Sequence, residues 1–162
     1  MPAAGRRACP GPAEERSTDR QGLRMRASER FEIEILLTGV RDVIPTARWS
    51  WDDARQTVSV RLGSDDEKRV RKQLDRTFLF SCRKKRKTGS SPVAGLILQM
   101  HGSLRDGQQL WLSDPGCASG TYALSKPWAD GENLTLVLGV WSGEDQSDRV
   151  LISSIRKIFG VH

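Results

Sequence analysis

The chain has 162 residues, 37% of them hydrophobic and 28% charged, which is enough to bury a core without disulfide staples. Its 26 Lys and Arg against 20 Asp and Glu give a net charge of +6 and a pI near 9.6, a balance that suits a polyanionic partner. No apolar run approaches the roughly 20 residues of a membrane span. No apolar core of a secretory signal opens the chain. Three cysteines without a C-x-x-C (Cys9, Cys82 and Cys117) argue against a disulfide framework and a zinc site and fit a reducing compartment.

Residues 1–29 combine Arg6, Arg7, Arg16 and Arg20 with Pro, Gly and Ala and read as a disordered basic tail. A strand, hairpin and helix segment is expected over 30–80. Phe31, Ile33 and Ile35 alternate with Glu32 and Glu34, as in a half-buried strand. Val58, Val60 and Leu62 alternate with Thr57, Ser59 and Arg61, and DDAR supplies a turn, so 46–51 should pair with 56–62. In SDDEKRVRKQLDRTF, Ser64 and Glu67 have capping-box spacing, with Asp65 and Asp66 in the first turn. Val70, Leu74 and Phe78 then form one apolar helical stripe.

Gly, Ser and Pro mark 81–92 as a basic linker loop. The remainder, 93–162, reads as strands at 94–103, 108–113, 120–125, 133–141 and 149–155, the last running out into a helical turn. The Asp-Gly of LRDGQQ is read as the turn joining the first two strands.

Two resemblances can be weighed on these residues. His101-Gly102 at the end of an apolar run, followed by Cys117 in CASG, resembles the caspase-like peptidases, whose thiolate is activated by an imidazole. Only 15 residues separate the two, with a tight turn between them, and the family places more chain there, so a cysteine hydrolase using His101 and Cys117 ranks last. The stretches LILQMHGSL, QQLWLSDPG, LTLVLGVWSG and RVLISSIRKI resemble instead the small OB-fold subunits of genome-maintenance complexes, of the replication protein A, telomere-capping and RecQ-mediated instability types. The resemblance covers about 65 residues. The family's helix between the third and fourth strands is here reduced to SKPWADGEN. It implies a mainly β (α+β) protein: an OB-like five-stranded barrel with an N-terminal hairpin and helix added.

Such a barrel grips single strands with aromatic platforms in a basic groove. The run Arg83, Lys84, Lys85, Arg86 and Lys87 is the densest charge feature, read as phosphate contact, nuclear-import signal or a solvated loop. Arg105 joins it, and Lys68, Arg69, Arg71, Lys72 and Arg76 could extend the patch, with Glu67 pairing Arg71 at i,i+4. If Leu110 and Leu112 face the core, alternation turns Trp111 outward, where a base, a partner protein or the N-terminal segment covers it. Trp128 and Trp141 are further candidates for partner contact, while Trp49 and Trp51 suit a core. The expectation is a non-enzymatic nuclear protein binding single-stranded nucleic acid, a larger partner subunit or both, with no cofactor, no metal and no membrane. A pure protein-interaction module is the alternative.

Overall fold

The computed structural model describes residues 27–84, 91–142 and 145–162, without the side chains of 145–148. It is an α+β structure. The chain runs α1 (Ala27–Val43), β1 (Ser50–Asp52), β2 (Thr57–Gly63), α2 (Ser64–Thr77), β3 (Phe80–Arg83), α3 (Pro92–His101), β4 (Gln109–Leu112), β5 (Ser119–Pro127), β6 (Asn133–Ser142) and α4 (Asp145–Phe159). The strands form one antiparallel sheet in the order β1-β2-β6-β5-β4-β3, with β1 and β3 as its edges.

Several expected elements are present. The β1–β2 hairpin pairs Trp51 with Val58, and Asp52 accepts from the N–H groups of Ala54 and Arg55 to close its turn. Helix α2 buries Val70 and Leu74, with Phe78 just past its end. Its capping box is not formed: Gly63 is the cap and no side chain bonds there, so the acidic first turn, Asp65 to Glu67, meets the helix dipole alone. β4, β5 and β6 lie close to the strands expected at 108–113, 120–125 and 133–141.

Three expected strands are helices. Over 27–43 the Phe-Glu-Ile-Glu-Ile alternation coexists with a helical stripe, Ile33, Leu37 and Val40, and the stripe is what is buried; Phe31 and Ile35 face outward. The run 94–103 lies mostly in α3. There Ser91 Oγ accepts from Ala94 N–H at 3.4 Å and Pro92 occupies the first turn, so the Ser and Pro that mark the expected loop start a helix. The run 149–155 lies inside α4, where Leu151, Ile155 and Phe159 recur at i, i+4 and i+8. A ten-residue apolar run satisfies either period, and tertiary packing chose between them. With two of its five strands helical, the expected barrel is replaced by an open six-stranded sheet. The Asp-Gly turn joins α3 to β4, with Gly107 at φ 80°.

Helices cover both faces. α1, α2 and α4 pack with Val58, Val60, Leu62, Trp111, Leu134, Leu136 and Leu138 in the larger core. α3 packs on Leu110, Leu112, Tyr122, Leu124 and Val137 in the smaller one. The segments 30–80 and 93–162 therefore share one sheet, through the β2–β6 and β3–β4 pairs, and one core. Helix α1 also begins inside the expected tail.

Candidate functional site

The most developed polar feature lies where β3 ends and β4 begins. Arg83 pairs with Gln109 across the strands, which fixes the two side by side. Gln109 is only 2% exposed, and its single Oε1 accepts from Arg83 Nε at 2.9 Å and from Arg71 Nη1 of α2 at 3.0 Å. Arg71 Nε donates in addition to Glu67 Oε1 at 2.8 Å, the i,i+4 pair expected from the sequence. Two guanidinium groups repel in isolation, so a shared buried acceptor is needed to hold them together. The acceptor is neutral, so it does not offset their charge, although Glu67 compensates that of Arg71. Arg71, Arg83, Lys84, Asp106, Gly107 and Gln108 line a groove of about 360 Å³ here. Lys84 Nζ lies 3.4 Å from Asp106, leaving three cations against one lining carboxylate. Residues 85–87 of the basic run lie outside the described residues.

Another basic region lies at the same end of the sheet but on its opposite face: Arg83 and Gln109 share the side of Trp111 and α2, whereas Lys126 and Arg61 alternate onto the side covered by α3. A Cβ on Gly107 would stand 3.1 Å from Pro127, so the Asp-Gly turn abuts the end of β5. Next to it Trp128 is 44% exposed. Its Nε1 donates to Thr135 Oγ1 at 2.8 Å, its backbone N–H donates to Asn133, and the Arg61 guanidinium sits 4.2 Å from the ring centroid. Lys126 has its pKa lowered, first by burial and then by repulsion from Arg55 and Arg105, so these cations share one region of the α3-covered face. From Arg83 on β3 to Arg61 on β2 there are four strand spacings, about 19 Å along the sheet, and the two side chains leave from opposite faces.

The expected platform is elsewhere. Trp111 is 1% exposed, covered by α2; its Nε1 donates to Asp75 Oδ1 at 2.9 Å and Arg71 lies 5.7 Å from its ring. Parity was read correctly, since Leu110 and Leu112 do face the other way, but all four residues of β4 are buried because both faces of the sheet carry helices. Trp111 as it stands offers no face to a base or a partner. Trp141 is half-buried over Gly120, where any side chain would overlap its ring, and its Nε1 has no acceptor among the described residues.

The histidine and cysteine of the peptidase resemblance are engaged separately. His101 Nε2 is 2.8 Å from Tyr122 Oη, with the rings edge to face, and its buried Nδ1 has no partner among the described residues. Burial first, then Lys126 and Arg55, push the imidazole pKa down to about 4, and burial raises that of Tyr122. Cys117 is disulfide-bonded rather than a thiol, which differs from the expectation of a reducing compartment, while Cys82 is free. Among the described residues no group of three or more His, Cys, Asp or Glu could hold a metal, and no helix is long and apolar enough to cross a membrane.

Comparison with protein-family models, with curated proteins and with solved structures finds no match to this chain. Among the site residues, Gln109 and Arg61 carry no sequence signal of their own. Gln109 sits in a turn-like GQQ and Arg61 is one polar position of an alternating strand. Only the register of β3 on β4, and of Trp128 beside β6, gives either a role.

Proposed function

We propose that this protein is a non-enzymatic subunit that binds single-stranded nucleic acid across the end of its sheet and works beside a larger partner protein. The observation that carries the reading is the pair of guanidiniums, Arg71 and Arg83, drawn onto the neutral buried oxygen of Gln109. A carboxylate in that place would offset the charge of Arg83, whereas an amide leaves it for phosphate, with Arg71 already paired to Glu67. Lys84 extends this patch, and on the opposite face Lys126 and Arg105 form another basic region near Trp128, which is exposed but held by Thr135 and is the stacking candidate in place of Trp111, so the strand would pass round the end of the sheet. The proposal keeps the binding logic of the OB-fold subunits, an aromatic face between cations, on an open sheet rather than a five-stranded barrel. The same Arg83–Lys87 run is the basis for proposing a nuclear location.

The test is fluorescence anisotropy with a labelled single-stranded oligonucleotide over a salt series. Arg83→Gln with Lys84→Gln removes two exposed cations, so affinity should fall and the log–log salt slope should flatten by about 0.7 per lost phosphate contact. Trp128→Ala should weaken binding by about five- to a hundredfold, the cost of one lost stacking face. Affinity and slope unchanged in the double variant would overturn the proposal. A pure interaction module is favoured by a separate observation: Leu96 and Met100, one turn apart on α3, are 65% and 45% exposed. In that case Leu96→Lys would abolish partner capture and leave oligonucleotide titrations flat in every variant.

A further inference from the structure

The second basic feature lies away from the groove just described, on the outer side of α4. Arg149, Ser153, Arg156 and Lys157 fall at i, i+4, i+7 and i+8, which puts them on one helical face. With Gln56 and His162 they line an open cavity of about 600 Å³, the size of a small-molecule site. No carboxylate side chain lines it among the described residues. Placing Arg156 and Lys157 in the last turn suits the helix dipole, which accounts for those two but not for Arg149, four residues into the helix.

Two further details mark the cavity as organised. The Arg156 guanidinium is held 5.2 Å from the Trp51 ring centroid, and Trp51 is itself anchored by Nε1 donating to Asp53 at 2.7 Å. Gln56, on the rim, has φ 54°, in the left-handed region, the one non-glycine among the described residues to do so. Holding a non-glycine residue there is strained and needs surrounding structure to enforce it. Its Nε2 donates to Asp53 O at 2.8 Å, a bond within the hairpin turn. Of the cations, Lys157 feels one nearby carboxylate, Glu34 on α1, which is itself held by Ser154 and Arg30. Among the described residues, the side chains lining the cavity thus carry a net positive charge, with hydroxyl and amide donors beside them.

We propose that the α4 cavity is a binding site for closely spaced phosphates, such as a di- or triphosphate chain or adjacent phosphates of a nucleic-acid backbone. Arg149 and Arg156 bracket the anion with their guanidinium forks, Lys157 supplies a point charge, and the Ser153 hydroxyl, between them, donates a hydrogen bond. The site is independent of the sheet-end groove, and its ligand chemistry does not require the function proposed above.

The experiment uses the full chain and inorganic triphosphate as probe, with sodium sulfate at matched ionic strength as control. At a triphosphate concentration ten times its Kd, thermal unfolding should move up by about 3–6 °C beyond the sulfate control. Arg149→Gln and, separately, Ser153→Glu should each weaken the response at least tenfold in midpoint concentration. Both positions are exposed on a helix surface, and circular dichroism checks their folding. A parallel titration with a single-stranded oligonucleotide separates the sources. Loss of triphosphate binding alone in the variants assigns a free polyphosphate ligand, and loss of oligonucleotide affinity with it assigns the backbone. If neither anion's binding responds to Arg149→Gln or Ser153→Glu, the proposal is wrong, whatever becomes of the Arg83 groove.

Discussion

His101 makes the stability of this protein depend on pH in a predictable window. Its ring is partly buried against Tyr122, with Lys126 and Arg55 near enough to repel a positive charge, and its pKa is about 4 instead of about 6.5. In the unfolded chain the imidazole takes up a proton as pH drops through about 6.5; in the folded chain it resists until about 4. Between those values the unfolded state binds more protons, so stability falls as the solution is acidified, and above about 6.5 this contribution is constant. A shift of that size corresponds to about 3 kcal/mol before solvent screening is counted. His101 is of intermediate exposure, and water repays part of that cost, which leaves about 1–2 kcal/mol. His101→Gln keeps a side chain able to bond Tyr122 Oη but does not titrate. Urea denaturation of both proteins at pH 7.5 and pH 4.5 gives four free energies. The wild type should lose about 1–2 kcal/mol more than the variant on acidification, with every other titrating group cancelling in the comparison. Equal losses in the two proteins would show that His101 is already solvated and refute the burial argument.

Two further perturbations test the packing behind the candidate site. Gly139→Ala places a Cβ where the Tyr122 ring lies, and Tyr122, 1% exposed and bonded to His101, has nowhere to retreat; a loss of about 1–3 kcal/mol or more is expected in urea denaturation. Trp111→Phe removes the bond to Asp75 and leaves a small void under α2, a loss of about 2–3 kcal/mol, yet oligonucleotide affinity at a temperature where the protein is folded should not change. Weakened oligonucleotide binding with stability intact would mean that Trp111 is reached from solvent after all.

What the residues determined unaided was local. The β1–β2 hairpin follows from alternation flanking DDAR, and α2 from an acidic first turn ahead of the stripe Val70, Leu74. The parity of β4 was also legible, as was the Glu67–Arg71 pair. Runs in which two periods coincide were not. Phe31 to Ile35, Leu96 to Met100 and Val150 to Ile155 each fit a strand as well as a helix, and which face is buried depends on what the run packs against. Alternation could say that Trp111 and Leu112 point in opposite directions, but a sheet with helices on both sides has no wet face at β4. That layering moved the exposed aromatic from Trp111 to Trp128. The basic run gained its most definite feature, the Arg71–Gln109–Arg83 clamp, only when residues distant in the chain met across the β3–β4 edge.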